Sequence, residues 1–208
     1  MGARRAPALR RRPDGRRRAA RGRRVRSVPT IRRGAPGDNR PAGFVSGYAS
    51  IFERTDLSGD RIRAGAFARA LRERGPGGIR MLWQHDPAQP IGVWTKLVED
   101  ARGLYAEGHL ALDTAQGRDA FALLRQEALD GLSIGFRARR SRPLREGGAR
   151  RLLLDIDLLE ISIVTFPMQE AARVREARGD LLPRFADAAR RIAEATLSAS
   201  LKEIPCRR

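Results

Sequence analysis

Gly131-Leu132-Ser133-Ile134-Gly135 fits the pattern G-x-S-x-G, and what stands on either side of it decides the fold. The pattern invites comparison with the nucleophile elbow of α/β-hydrolases, in which a strand leads into the serine and a helix leads out. Here the order is reversed. Upstream, Thr114 can cap a helix running to about Leu129, with Ala120, Phe121, Leu124 and Ala128 on its buried side. Downstream, residues 132–139 read as a strand. The elbow also needs its histidine after the serine, and none follows His109. The doubly wound hydrolase fold is excluded.

Working outward, residues 44–52 are rich in strand formers and read as the first core strand. A turn-rich loop over 53–60 precedes a short amphipathic helix over 64–74, which puts Phe67, Ala70 and Leu71 on one face and stops at Gly75-Pro76-Gly77-Gly78. Residues 79–85 read as a strand ended by Asp86-Pro87, and 91–98 and 104–112 as two more, joined at Asp100-Ala101-Arg102-Gly103. After a polar turn near Glu146-Gly147-Gly148 come strands within 151–155 and 158–166, and Pro167 ends the body. The order β-α-βββ-α-βββ lacks the regular alternation of a parallel sheet. It predicts an α+β fold, a mostly antiparallel β-barrel or sheet with flanking helices.

The body is framed by two segments of different character. Residues 1–43 hold 15 Arg against Asp14 and Asp38, so most of the formal charge of +18 is concentrated there, and the rest of the chain carries 27 bases against 22 acids. With so little apolar side chain to offset the entropy of ordering, this arm is expected to be disordered. A basic arm can bind polyanions by releasing counterions. The weightier reading is compositional: 40 Arg against Lys96 and Lys202 resembles GC-rich coding sequence, with Met1 an overcalled start. Nucleic-acid binding is the less favoured role, and the arm has no interleaved aromatics for base stacking. Residues 168–208 show no strand pattern, while Phe185, Ala189, Ile192 and Leu197 predict a charged helical tail. No apolar run approaches the roughly 18–20 residues of a membrane span, and no secretory signal follows the Arg-rich start, so the chain reads as soluble and not exported.

The residue inventory narrows the chemistry. Cys206 is the single cysteine, which excludes an internal disulfide and an intrachain thiolate metal site, and HExxH is absent. No cofactor or metal is expected. A serine hydroxyl needs a base to become a nucleophile at neutral pH, and imidazole is the usual one. His85 stands at a strand end, where a loop can present it to a cleft; His109 lies mid-strand and is the weaker candidate. Glu160 is a lone carboxylate in the apolar run Leu158-Leu159-Glu160-Ile161-Ser162-Ile163-Val164, so a cation or histidine is expected beside it. Asp155 and Asp157 are its competitors. Ser162 shares the Glu160 face and is a rival nucleophile, but without flanking glycine its expected role is packing.

Five stretches together carry a resemblance: Gly47-Tyr48-Ala49 with Phe52, Gly59-Asp60 followed by Gly65-Ala66-Phe67, Leu82-Trp83-Gln84-His85-Asp86 with Pro90-Ile91-Gly92, Asp130 to Phe136, and Glu160 to Pro167. In this order, over about residues 44–178, the chain resembles the HK97-type phage prohead protease family, whose fold is similar to that of the herpesvirus assemblin serine proteases. The resemblance implies a protease domain over 44–167 and a serine endopeptidase inside the procapsid, in the cytoplasm of the bacterial host. Its substrates would be the scaffold segment of the major capsid protein and the protease itself, with self-association in the shell. The family's histidine falls on His85 and its serine on Ser133. The assemblins carry a second histidine where this sequence has Glu160. The competing reading is a non-enzymatic internal scaffold or capsid-assembly factor of the same fold.

Overall fold

The computed structural model describes residues 30–32 and 41–178. The body consists of β1 (Phe44–Ile51), β2 (Asp60–Ile62), α1 (Ala68–Arg74), β3 (Arg80–Trp83), β4 (Asp86–Glu99), β5 (Gly103–Leu110), α2 (Ala115–Arg125), β6 (Gly131–Pro143), β7 (Arg151–Val164) and β8 (Arg173–Arg178). The helix expected over 183–201 and nearly all of the basic arm lie outside the described residues.

Seven strands close into a barrel in the order β7-β3-β4-β5-β1-β8-β6, with β6 pairing back onto β7, while β2 lies along the first part of β7. The pairings are antiparallel except β2–β7 and β3–β7. Closure reduces the exposed sheet edges that a strand-rich chain of this size would otherwise carry. Phe67, Met81, Ile91, Leu104, Leu132 and Ile161 are each at most 1% exposed. Trp94, in the same core, donates its indole N–H to the Ile161 carbonyl at 3.3 Å.

Both helices pack as their patterns predict, with shorter bounds. Thr114 caps α2 by accepting from the Gly117 amide at 3.0 Å. Because α2 stops at Arg125, Ala128 leaves the buried face, which Gly117, Ala120, Phe121 and Leu124 supply. Phe67 and Ala70 bury the face of α1, and its outer side is tied to β7 by Arg69–Asp155 and Arg74–Asp157 ion pairs at 3.1 and 2.8 Å. Those contacts account for Asp155 and Asp157: arginine hydrogen bonds hold both carboxyls below their ordinary pKa. Arg151–Val164 forms one strand of 14 residues, where two were expected.

Two further corrections bear on the site. The strand expected to end at His85 instead turns directly into β4, which begins at Asp86 rather than Ile91. Beyond Pro167, where no strand was expected, β8 enters the wall between β1 and β6. Its pattern is hidden because the bulge opposite Ser46 and Gly47 puts its buried residues, Val174 and Ala177, three apart instead of two. Gly47 admits this close approach, since a Cβ there would overlap the Arg173 carbonyl.

Candidate active site

The β3–β4 connection is a two-residue turn with Trp83 paired to Asp86, and both central residues, Gln84 and His85, have positive φ, at 52° and 63°. Two-residue hairpins favour this left-handed geometry, but usually with Asn or Gly. For Gln and His it costs on the order of 1–2 kcal/mol per residue. The end of β7 and the residue after it offset that cost. Gln84 N–H donates to the Ile163 carbonyl at 3.0 Å, and its side-chain amide donates to Thr165 Oγ1 at 2.8 Å and accepts from Thr165 N–H at 3.2 Å. His85 N–H donates to Ser162 Oγ at 3.2 Å. A strained turn that carries an imidazole is thereby pinned in place.

Glu160 meets that imidazole. Its Oε1 lies 2.6 Å from His85 Nδ1, and its Oε2 accepts from Ser162 Oγ at 2.6 Å. Glu160 is 8% exposed and Ser162 fully buried, whereas the His85 side chain is 43% exposed. Hydrogen bonding to Glu160 raises the His85 pKa, burial opposes the rise, and the carboxylate charge adds to it. With the proton on Nδ1 held by Glu160, the neutral ring has Nε2 free to accept another.

Ser133 is 5% exposed and stands on β6 directly across from Ser162, with Gly135 across from Glu160. His85 and Ser133 line one cavity of about 210 Å³. The structure joins His85 to Glu160 directly and places Ser133 on the same wall, but no hydrogen bond links Ser133 Oγ to His85. In ligand-free enzymes such bonds are often long and tighten only on substrate binding. His109 lies elsewhere, on β5 and edge-on to Phe44 with 5.6 Å between ring centroids, and burial lowers its pKa.

Two roles were not visible in the residue pattern. Ser162 bridges the turn and the carboxylate, because one hydroxyl accepts from the His85 backbone and donates to Glu160. Gly135 makes room for the carboxylate: a Cβ there would overlap Glu160 Oε1 and lie 2.8 Å from its Cδ. Ser162→Ala is expected to destabilise the fold by about 1–3 kcal/mol, since it leaves a buried carboxylate oxygen and an N–H without their partner. Urea unfolding measures this, and a loss below about 0.5 kcal/mol, the range of ordinary surface changes, would show that the bridge is not made.

The family profile described as caudovirus prohead serine protease matches residues 31–182. The prohead protease of Enterobacteria phage HK97 is 36% identical over 135 residues, covering 64% of this chain and 59% of that protein. The chain thus spans less than two thirds of this relative's length. Among solved structures, the bacteriophage T4 capsid assembly protease superposes with a TM-score of 0.46 at 14% identity, over 58% of this chain and 80% of that one. The KSHV protease bound to a hexapeptide phosphonate inhibitor gives 0.43 at 12% identity, over 63% of each chain.

Proposed function

Because the chain belongs to the caudovirus prohead serine protease family, we propose that it is a serine endopeptidase of capsid maturation, with Ser133 as nucleophile, His85 as general base and Glu160 as the group that orients His85. The observation that carries this reading is the 2.6 Å contact between His85 Nδ1 and Glu160 at the edge of a cavity that Ser133 also lines. Ser133 Oγ attacks the scissile carbonyl as its proton passes to His85 Nε2. The imidazolium, stabilised by Glu160, returns that proton to the leaving amine, and water then hydrolyses the acyl-enzyme.

The backbone of β6 supplies an oxyanion donor. Leu132 N–H points away from β7, donating to the Ala172 carbonyl at 3.1 Å. By the alternation of a strand, Ile134 N–H points the same way, on the side where the β6–β8 pairing has ended at Gly131 and Arg173. That amide lies one residue past the nucleophile and is free to bind developing negative charge. The same open edge can receive an extended substrate as an added strand.

The substrate expected is the scaffold segment of the major capsid protein, met inside the procapsid, together with the protease's own chain. Co-expression of the wild type with its neighbouring capsid gene should yield truncated capsid protein by intact mass, and co-expression of Ser133→Ala should yield only the full-length product. Truncation with both, or with neither, would favour the reading as a non-enzymatic assembly factor.

A further inference from the structure

The positive charge of the body is gathered in one place. Residues 137–151, from the outer half of β6 to the start of β7, hold seven arginines against one acid, Glu146, whereas the rest of the chain beyond residue 43 holds 20 bases against 21 acids. A coding bias toward arginine would spread along the chain and does not produce this. Two of the seven have counter-charges: Arg151 binds Asp60 at 2.6 Å, and Arg139 reaches Asp157 at 3.5 Å. Arg137, Arg140, Arg142, Arg145 and Arg150 make no side-chain hydrogen bond or ion pair among the described residues. The β7 residues paired with Arg140 and Arg137 are Asp155 and Asp157, and Arg69 and Arg74 of α1 already hold both carboxylates.

The second feature is the strand that carries them. Every residue from Arg137 to Pro143 is exposed. Past Leu132, whose N–H donates to the Ala172 carbonyl, β6 has β7 as its only strand partner among the described residues. Its other edge therefore offers unpaired backbone groups along the line that leaves Ser133. At about 3.3 Å per residue, Arg137 lies about 13 Å and Arg142 about 30 Å from the nucleophile along the strand. Charged residues protect such an edge from self-pairing. Five of one sign without counter-charge also repel one another and weaken the fold, a cost that an acidic ligand removes.

We propose that the outer half of β6 is an exosite for an acidic stretch of the substrate, lying roughly four to nine residues from the scissile bond on one side of it. The inference rests on the peptidase reading and adds to it a substrate class, set apart from the residues next to the cut. An extended peptide passing Ser133 can continue along the β6 edge as an added strand, backbone to backbone. Its Glu or Asp side chains then meet guanidinium groups in charge-assisted, often bidentate pairs. A nucleic acid fits less well. It has no use for a strand edge, and residues 137–151 hold no aromatic side chain on which a base could stack.

The test uses the full chain and a peptide library from a chymotryptic digest of a bacterial proteome, with cleavage sites read by mass spectrometry. The best-cleaved sequence is then extended on each side in turn, with a block of glutamates or of glutamines at about positions five to eight from the cut. On one side the glutamate peptide should show a kcat/KM about tenfold higher or more at about 50 mM salt, mostly through KM. That advantage should shrink at about 500 mM salt. Moving the block to about positions 16 to 19 should abolish it, which separates β6 from the basic arm of residues 1–43. Arg137→Gln, Arg140→Gln and Arg142→Gln combined alter only exposed side chains without partners, and should bring the ratio between the two peptides close to one. The position dependence stands whether or not that variant folds. No preference for glutamate, a preference indifferent to the block's position, or a ratio unchanged in the triple variant overturns the exosite alone. So does a single-stranded oligonucleotide that binds the wild type and not the variant while the glutamate peptides gain nothing. No cleavage that depends on Ser133 overturns the peptidase reading and the exosite with it.

Discussion

Replacing Ser133 by alanine is expected to lower kcat/KM for peptide cleavage by about 10,000-fold or more, and His85→Ala by nearly as much. The double variant should be hardly worse than either single one. A nucleophile and its base act as a unit, so once either is gone the other has nothing to do. Ser133 gives a clean measurement, because its hydroxyl makes no hydrogen bond with another described residue and its removal leaves no buried partner unpaired. Thermal unfolding of Ser133→Ala should therefore match the wild type while turnover of the best-cleaved peptide disappears. Residual activity above about one hundredth would point to another nucleophile, and the obvious rival is poorly placed. Ser162 is fully buried, and its hydroxyl is held between the His85 amide and Glu160. Losses at the two positions that multiply in the double variant would mean that Ser133 and His85 work independently, which the acyl-transfer scheme does not allow.

What the sequence disclosed of this site follows from which physical signals are local. A carboxylate inside Leu158-Leu159-Glu160-Ile161 is costly without a partner, and that cost alone predicted a histidine or cation nearby; the partner is His85. The two helices were legible because Phe67 with Ala70, and Phe121 with Leu124, recur at helical spacing along continuous chain. The turn at Gln84-His85 was not legible. Its residues are ordinary, and the positive φ values are held by Ile163 and Thr165, some 80 positions away. β8 was hidden by its bulge, and the function of Gly135 by distance, because the group it accommodates belongs to another strand. Of the glycines flanking Ser133, Gly135 gives space to Glu160. Periodicity reports the faces of elements, whereas the site is made by pairings between β3, β6 and β7.

Glu160→Gln is expected to lower two observables, the plateau of kcat/KM and the pH of its acid limb. The substitution keeps the side chain's size and its oxygen acceptor but removes the charge. The His85 imidazolium that forms during acyl transfer then loses its counter-charge, and the plateau of kcat/KM should fall by about 100- to 10,000-fold. At the same time the acid limb of the pH profile should shift to lower pH. In the wild type the Glu160 hydrogen bond is the largest influence on His85 and raises its pKa above the ordinary value near 6.5, while burial pulls the other way. Without the carboxylate only the burial effect remains, so His85 becomes neutral, and competent as a base, at lower pH than before. Stability carries the same signature. A pKa raised on folding contributes stability that is fully present below about pH 6.5 and is lost as the pH rises through the folded value. The difference in unfolding midpoint between wild type and Glu160→Gln should therefore narrow as the pH is taken from 6 to about 9. Gly135→Ala provides the steric counterpart: the charge remains, but the added methyl displaces the carboxylate from Nδ1, so the plateau should fall and the limb should shift in the same sense. A plateau that falls with an unmoved acid limb in both variants would mean that Glu160 supports the barrel wall and does not tune His85. In that case the third member of the triad would have to be sought elsewhere.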